Sequence, residues 1–170
     1  AGTLKRIDYS LIKGGGITEA DQWRVTSNFT DSADPISSNW ERVDTDGYGK
    51  LGTGMTESSG VFSFASTGVY LINFTAAFTL SGDDRAIGIQ IDTTTDGSSF
   101  DSAAANEGYI NQTSGSVTYT MARSEFIFDV TNTSTHKCRF VISPVNSSTT
   151  TNGNTNQNRT YATFIRLGDT

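Results

Sequence analysis

Between Gly60 and Leu80 the chain reads GVFSFASTGVYLINFTAAFTL, and this run sets the period of the whole sequence. From Val69 onward Tyr70, Ile72, Phe74, Ala76, Phe78 and Leu80 fall on one side. Val69, Leu71, Asn73, Thr75, Ala77 and Thr79, smaller and more polar as a set, fall on the other. Side chains of a strand alternate between its two faces, so Val69–Leu80 predicts one strand of about 36 Å with an aromatic face turned inward. A shorter strand, Val61–Phe64, precedes it across Ala65-Ser66-Thr67-Gly68.

The same period recurs in shorter pieces. Strands are predicted in the run WRVTSNF from Trp23, at Trp40–Val43, around Ile87, Ile89 and Ile91, at Tyr109-Ile110 and at Val117–Met121. Further strands are predicted at Glu125–Val130, His136–Ser143 and Tyr161–Leu167. Within them Phe126, Phe128 and Val130 point inward against Glu125, Ile127 and Asp129, while His136, Cys138, Phe140 and Ile142 share a face. Turn residues punctuate the runs at Asp34-Pro35, Asp44–Gly49, Gly52–Gly54 and Ser81–Asp84. Thr93–Ala105 reads as a polar loop and Asn146–Thr160, NSSTTTNGNTNQNRT, as a polar low-complexity loop. Residues 1–20 form a leader broken by Gly14-Gly15-Gly16, which fits an edge strand or an attachment arm, and residues 21–170 form one domain. Many short strands without helical periodicity predict an all-β antiparallel sandwich, specifically a jelly roll.

Composition sharpens this picture. Charged residues make up 18% of the 170 positions, below the roughly 25% usual in globular domains, and Thr, Ser, Asn and Gly fill the difference. A net charge of −6 with no basic stripe argues against nucleic-acid binding. No apolar run reaches the ~18 residues of a membrane helix, and the first ten residues lack the apolar core of a secretory signal. Synthesis in the cytoplasm is therefore expected, unless a signal was removed before Ala1. One cysteine allows no intrachain disulfide. Six Asn-x-Ser/Thr sequons, at Asn28, Asn73, Asn111, Asn132, Asn146 and Asn158, follow from an Asn- and Thr-rich composition; Asn73 lies inside the long strand.

Catalytic constellations are nearly empty. His136, the single histidine, stands two residues from Cys138 on one strand face; such side chains lie about 6.5 Å apart and do not form a dyad. Cys138 then reads as a small buried hydrophobe. Acids at Asp83, Asp84, Asp92, Asp96, Asp101 and Glu107 sit mostly in loop contexts, and nothing pairs two of them across a cleft as a glycosidase requires. Asp44-Thr45-Asp46-Gly47 partly matches a calcium loop but lacks the third acid and the terminal Glu, so an Asx turn explains it. No catalytic residue, metal or cofactor is assigned. The Asn146–Thr160 loop is the candidate for recognition, with Asn146, Thr150, Asn152, Asn154, Asn156 and Asn158 offering donors and acceptors to a glycan or surface receptor.

Two resemblances add to this reading. Trp40-Glu41-Arg42-Val43, Tyr48, Gly60-Val61-Phe62-Ser63-Phe64 and Gly68-Val69-Tyr70-Leu71-Ile72-Asn73-Phe74 follow the order of features in tumour necrosis factor and complement-globular-head jelly rolls. There a G-x-F-x-x-P-x-x-G-x-Y-x-F run forms two adjacent strands; Ala65 stands near the family's Pro, and the closing YATFIRL is similar to its final strand. That resemblance, over roughly residues 22–167, implies a homotrimer about a three-fold axis with aromatics at the subunit contacts. Trp23, Phe29, Trp40, Tyr109, Tyr119 and Tyr161 are the candidates, each with an equal claim as a core residue of its own domain. Secondly, ITEADQWRVTSNF, SSNWERVDTDGYGKLGTGMTESSGVFSF and TFIRLGDT resemble stretches of structural proteins of phages infecting marine bacteria. This implies a non-enzymatic virion surface component, such as a head fibre, capsid decoration or tail-associated knob, assembled in the host cytoplasm. Its N-terminal arm would bind other virion proteins, and its loops a host glycan or receptor. The alternative is a secreted or cell-surface carbohydrate-binding module of bacterial origin.

Overall fold

The computed structural model describes residues 16–112 and 115–170, and among these described residues there are strands but no helix. Twelve strands run in chain order as β1 (Ala20–Val25), β2 (Phe29–Thr30), β3 (Trp40–Arg42), β4 (Thr56–Ser58), β5 (Val61–Ser63) and β6 (Gly68–Leu80), then β7 (Asp84–Thr94), β8 (Asp101–Ile110), β9 (Thr118–Val130), β10 (Lys137–Pro144), β11 (Thr150–Thr151) and β12 (Tyr161–Gly168). All pairings are antiparallel. One sheet has the order β3-β1-β12-β6-β9, with β11 and β2 continuing beside the far half of β6; the other has the order β4-β5-β10-β7-β8. This is the expected two-sheet jelly roll.

β6 is the axis of the first sheet. Its whole length pairs with β9, from Gly68 opposite Val130 to Leu80 opposite Thr118, while its other edge pairs with β12 and then β11. The predicted inward face holds: Ile72, Phe74, Ala76 and Phe78 are fully buried, Tyr70 and Leu80 nearly so. Across the interior Ile87, Ile89 and Ile91 of β7 and Cys138, Phe140 and Ile142 of β10 close the core. At one end, Phe62 of β5 lies 5.6 Å from Trp23, 5.1 Å from Trp40, 5.4 Å from Phe140 and 5.3 Å from Phe164, so aromatics from four other strands meet on one ring. Such contacts add to area burial and account for a core that stands without disulfides.

Three expectations are corrected. Thr93–Ala105 is not a loop: β7 runs to Thr94 and β8 begins at Asp101, since Ser102, Ala104 and Ala105 pair with β7 even though small residues have little strand preference of their own. Val117–Met121 and Glu125–Val130 are one strand, β9, because pairing with β6 carries the backbone through Ala122-Arg123-Ser124. WRVTSNF is two strands. Of the leader, residues 1–15 lie outside the described residues, while Thr18 and Glu19 are already tied to the domain through Arg166 and the Gly54 amide.

The glycines of the quoted motif have steric causes. Gly60 closes the β4–β5 hairpin at φ +83°, after Ser59 at φ +52°, and a Cβ there would run into the Ile36 carbonyl. Gly68, at φ +146°, opens β6 against the Arg166 guanidinium and the Gly168 carbonyl. Gly60→Ala is expected to destabilise the domain by about 1–3 kcal/mol, since it combines left-handed strain with a backbone clash. Urea unfolding followed by tryptophan fluorescence measures this; an unchanged midpoint would show that the hairpin relaxes freely.

Candidate functional site

The strand β1 organises the richest polar region of the molecule because its alternation sends Asp21 and Trp23 to one side and Gln22 and Arg24 to the other. Asp21 is 3% exposed. Its carboxylate accepts from the Trp23 Nε1–H at 3.0 Å, Arg42 Nε at 3.0 Å, the Tyr48 hydroxyl at 2.6 Å and the Met55 amide at 2.8 Å. Burial alone would raise the Asp21 pKa, but the bonds from Arg42, Tyr48, Trp23 and Met55 outweigh it and hold the carboxyl below the ordinary range. Burial, and then the bond to Asp21, push the Tyr48 phenol up to about 12. Every acceptor position is occupied by a fixed structural donor, so Asp21 is a fastening and not an acid or base.

On the opposite side of β1, Arg24 is 1% exposed, a buried cation that requires partners. Its Nε donates to Glu41 at 2.7 Å, Nη2 to Asp44 at 2.8 Å and Nη1 to the Thr45 hydroxyl at 3.0 Å. Asp44 and Thr45 of the supposed calcium loop are therefore committed to a guanidinium. The turn itself closes by the Tyr48 amide donating to the Thr45 carbonyl, with Asp46 and Gly47 both left-handed, at φ +56° and +79°.

The Asn-rich segment is held against β1 and β3 beside this turn. The Asn154 amide donates to the Val25 carbonyl, the Gly153 amide to Asn28 Oδ1, the Thr155 hydroxyl to Glu41 and Asn158 Nδ2 to Gln22 Oε1. Asn146–Thr160 is thus no free loop. It contains β11, and Thr149, Thr151, Asn152 and Thr160 are buried. Of the six recognition candidates, Asn146 donates to the Asp83 carbonyl, Thr150 pairs within the sheet and Asn152 is buried with its carbonyl accepting from the Thr79 hydroxyl. Asn154 is partly covered and its Oδ1 accepts from the Asn156 amide. Asn156 and Asn158 remain, and they face Asp46, Gly47 and Tyr48 across an open groove of about 430 Å³ whose floor includes Gln22 and Arg24.

A second surface lies on the outer face of the β6 sheet. Register places Ile165, Leu71 and Ile127 in one cross-strand row, Thr163, Asn73 and Glu125 in the next, and Tyr161, Thr75 and Arg123 in a third. Met121 and Tyr119 continue the same face of β9. Tyr119, Met121 and Ile127 are 69%, 64% and 60% exposed, among the largest apolar exposures in the molecule. Of the aromatics considered for subunit contacts, Tyr119 and Tyr161 share this face, Tyr109 is exposed on β8 of the other sheet, and Trp23, Phe29 and Trp40 pack on their own domain's core. Leu71, Met121, Ile127 and Ile165 are the members that aromatic counting missed. Their signal was present on β9, whose outward positions carry Met121 and Ile127 as well as Tyr119 among Arg123, Glu125 and Asp129.

The residues of classical nucleophilic chemistry are structural. Cys138 is fully buried, and burial pushes its thiol well above the usual range. His136 stacks on Phe128 at 5.6 Å, its two ring nitrogens within reach of the Thr131 and Thr135 hydroxyls. Asp84 accepts from the Thr149 hydroxyl, Asp92 from Arg139, and Asp96 from the Ser98 and Ser99 amides of its own turn.

No family model matches the chain, and no curated protein matches it. Solved structures do. Murine APRIL superposes with a TM-score of 0.58 at 13% identity, covering 88% of this chain and 98% of that one. The Eiger TNF of S. frugiperda gives 0.58 at 13% identity, covering 91% and 96%. The fold is a TNF-like jelly roll. At such identities the likeness concerns the fold alone.

Proposed function

We propose that this chain is a non-enzymatic, homotrimeric virion surface protein of phage origin. Three copies associate through the outer face of the β6 sheet, the N-terminal arm attaches the trimer to other virion proteins, and the loops are presented to a host surface. The carrying observation is the exposed apolar row Ile165–Leu71–Ile127, with Tyr161, Met121 and Tyr119 on the same face beyond the Glu125–Arg123 pair, on a domain that already has a complete core. Exposed patches of this kind mark association surfaces, and a second copy is the partner whose matching face is guaranteed to be present. The three-fold arrangement comes from the tumour-necrosis-factor-like resemblance, and the virion setting from the stretches similar to phage structural proteins.

Light scattering after size exclusion tests the assembly. A mass three times the 18.2 kDa of the chain is expected at micromolar concentration, and a monomer would overturn the reading. Deletion of residues 1–16 is expected to leave the β domain folded and trimeric but to abolish incorporation into particles, scored by co-sedimentation. Normal incorporation would sink the attachment role.

A further inference from the structure

We infer that the groove between the Asp44–Tyr48 turn and the Asn154–Asn158 segment binds a neutral saccharide through a pair of adjacent hydroxyls. The inference deepens the proposed function, resting on the domain being a surface-presented binding module, and it assigns the site and the ligand class. Within the groove the hydrogen-bonding groups divide into two sets. The first is consumed in holding the walls: Arg24 with Glu41, Asp44 and Thr45, Tyr48 with Asp21, and Asn158 Nδ2 with Gln22. The second is unspent. Neither the Asp46 carboxylate nor the Asn156 side-chain amide bonds to another described residue, and Asn158 keeps its Oδ1.

A carboxylate and an amide lining one groove suit adjacent hydroxyls, because each hydroxyl donates to the carboxylate or the amide oxygen and accepts from the amide N–H. The Tyr48 ring and Val43 supply the apolar part of the lining against which the C–H face of a sugar ring rests. The volume of about 430 Å³ falls in the roughly 300–1,000 Å³ range of small-molecule sites. Both walls are anchored to β1, one by the Asn154 N–H to the Val25 carbonyl and the other by the Tyr48 hydroxyl to Asp21 and Arg24 to the Thr45 hydroxyl, so little ordering is left for the ligand to impose. Charge then selects among sugars. Glu41 and Asp44 neutralise Arg24 behind the lining, Arg159 bonds to the lining residue Gln157, and the Asp46 carboxylate on the lining disfavours sialylated or sulfated glycans.

The test uses the full chain on a panel of immobilised neutral, sialylated and sulfated oligosaccharides, with surface plasmon resonance on the hits. Binding is expected on neutral members only. Asp46→Asn, which keeps the shape and tolerates the left-handed backbone, and Asn156→Ala should each weaken it at least tenfold. Asn146→Ala, remote from the groove, should leave it within twofold. Binding to no member, preference for the anionic ones, or undiminished binding by both groove variants would overturn the inference. Light scattering on the same samples separates the two readings: a trimer that binds no sugar sinks the groove alone, and a sugar-binding monomer sinks the assembly alone.

Discussion

Asp21→Ala is expected to cost about 2–4 kcal/mol of unfolding free energy, because the loss of a buried carboxylate leaves several donors without their acceptor while Arg42, a third exposed, reaches water. The carboxylate is the common acceptor for donors on β1, β3, the Tyr48 turn and the strand-free segment at Met55. Its loss leaves the Met55 amide and the Tyr48 hydroxyl without an acceptor in a buried place, and leaves Arg42 with the Met55 carbonyl, the face of Trp23 and water. Asp21→Asn keeps the shape but cannot accept from four donors at once, so it should recover less than half of the loss. Guanidinium unfolding at pH 7 measures both. A cost under about 1 kcal/mol for the alanine variant would mean that water replaces the carboxylate and that the hub is not a fastening.

The same residue fixes the acid limb of the stability curve. Because the folded Asp21 pKa is depressed, its contribution is complete above the unfolded value of about 3.9 and is lost as pH falls through the lower folded value. Asp92 has the opposite sign. Burial raises its pKa despite the bond from Arg139, so its protonation on acidification favours the folded state. Asp21→Asn should therefore flatten the loss of stability between pH 5 and pH 2, and Asp92→Asn should steepen it. Thermal unfolding across that range distinguishes them, and equal slopes would remove the assignment.

Period-two alternation located β6, β10, β12 and the inward face of β9 because each is apolar on the side that meets the opposite sheet. Where strand formation depends on a neighbour, alternation was silent. Ser102, Ala104 and Ala105 form β8 only because β7 offers a full row of backbone partners, and Thr150-Thr151 form β11 because β6 outruns β12. The groove was half visible. Asp46-Gly47 announced a turn and the asparagines announced a polar segment, but nothing in a linear pattern brings Asn158 to Gln22 or Thr155 to Glu41 across more than a hundred residues. Asp21 was invisible for the same reason: a single acid in a strand carries no sign of the four donors that fold around it.

Ile127→Glu is expected to turn the proposed trimer into a monomer at micromolar concentration while leaving the fold intact. Ile127 is 60% exposed in the single subunit and opposite Leu71, which in turn lies opposite Ile165, so a glutamate there meets water in the monomer and costs little. In the proposed assembly it would be placed in the apolar Ile165–Leu71–Ile127 row beside Glu125, where an unpaired carboxylate costs several kcal/mol and would be repeated in each subunit about the symmetry axis. Glu125 and Arg123, paired at 3.2 Å two and four residues away on the same strand face, give the new acid no unspent cation. Ile127→Leu keeps the apolar volume and should keep the trimer. Light scattering reads the mass and far-UV circular dichroism reads the fold. A trimer that survives Ile127→Glu with native stability would move the contact away from this sheet face, whereas an unfolded variant would show that the subunits fold only together.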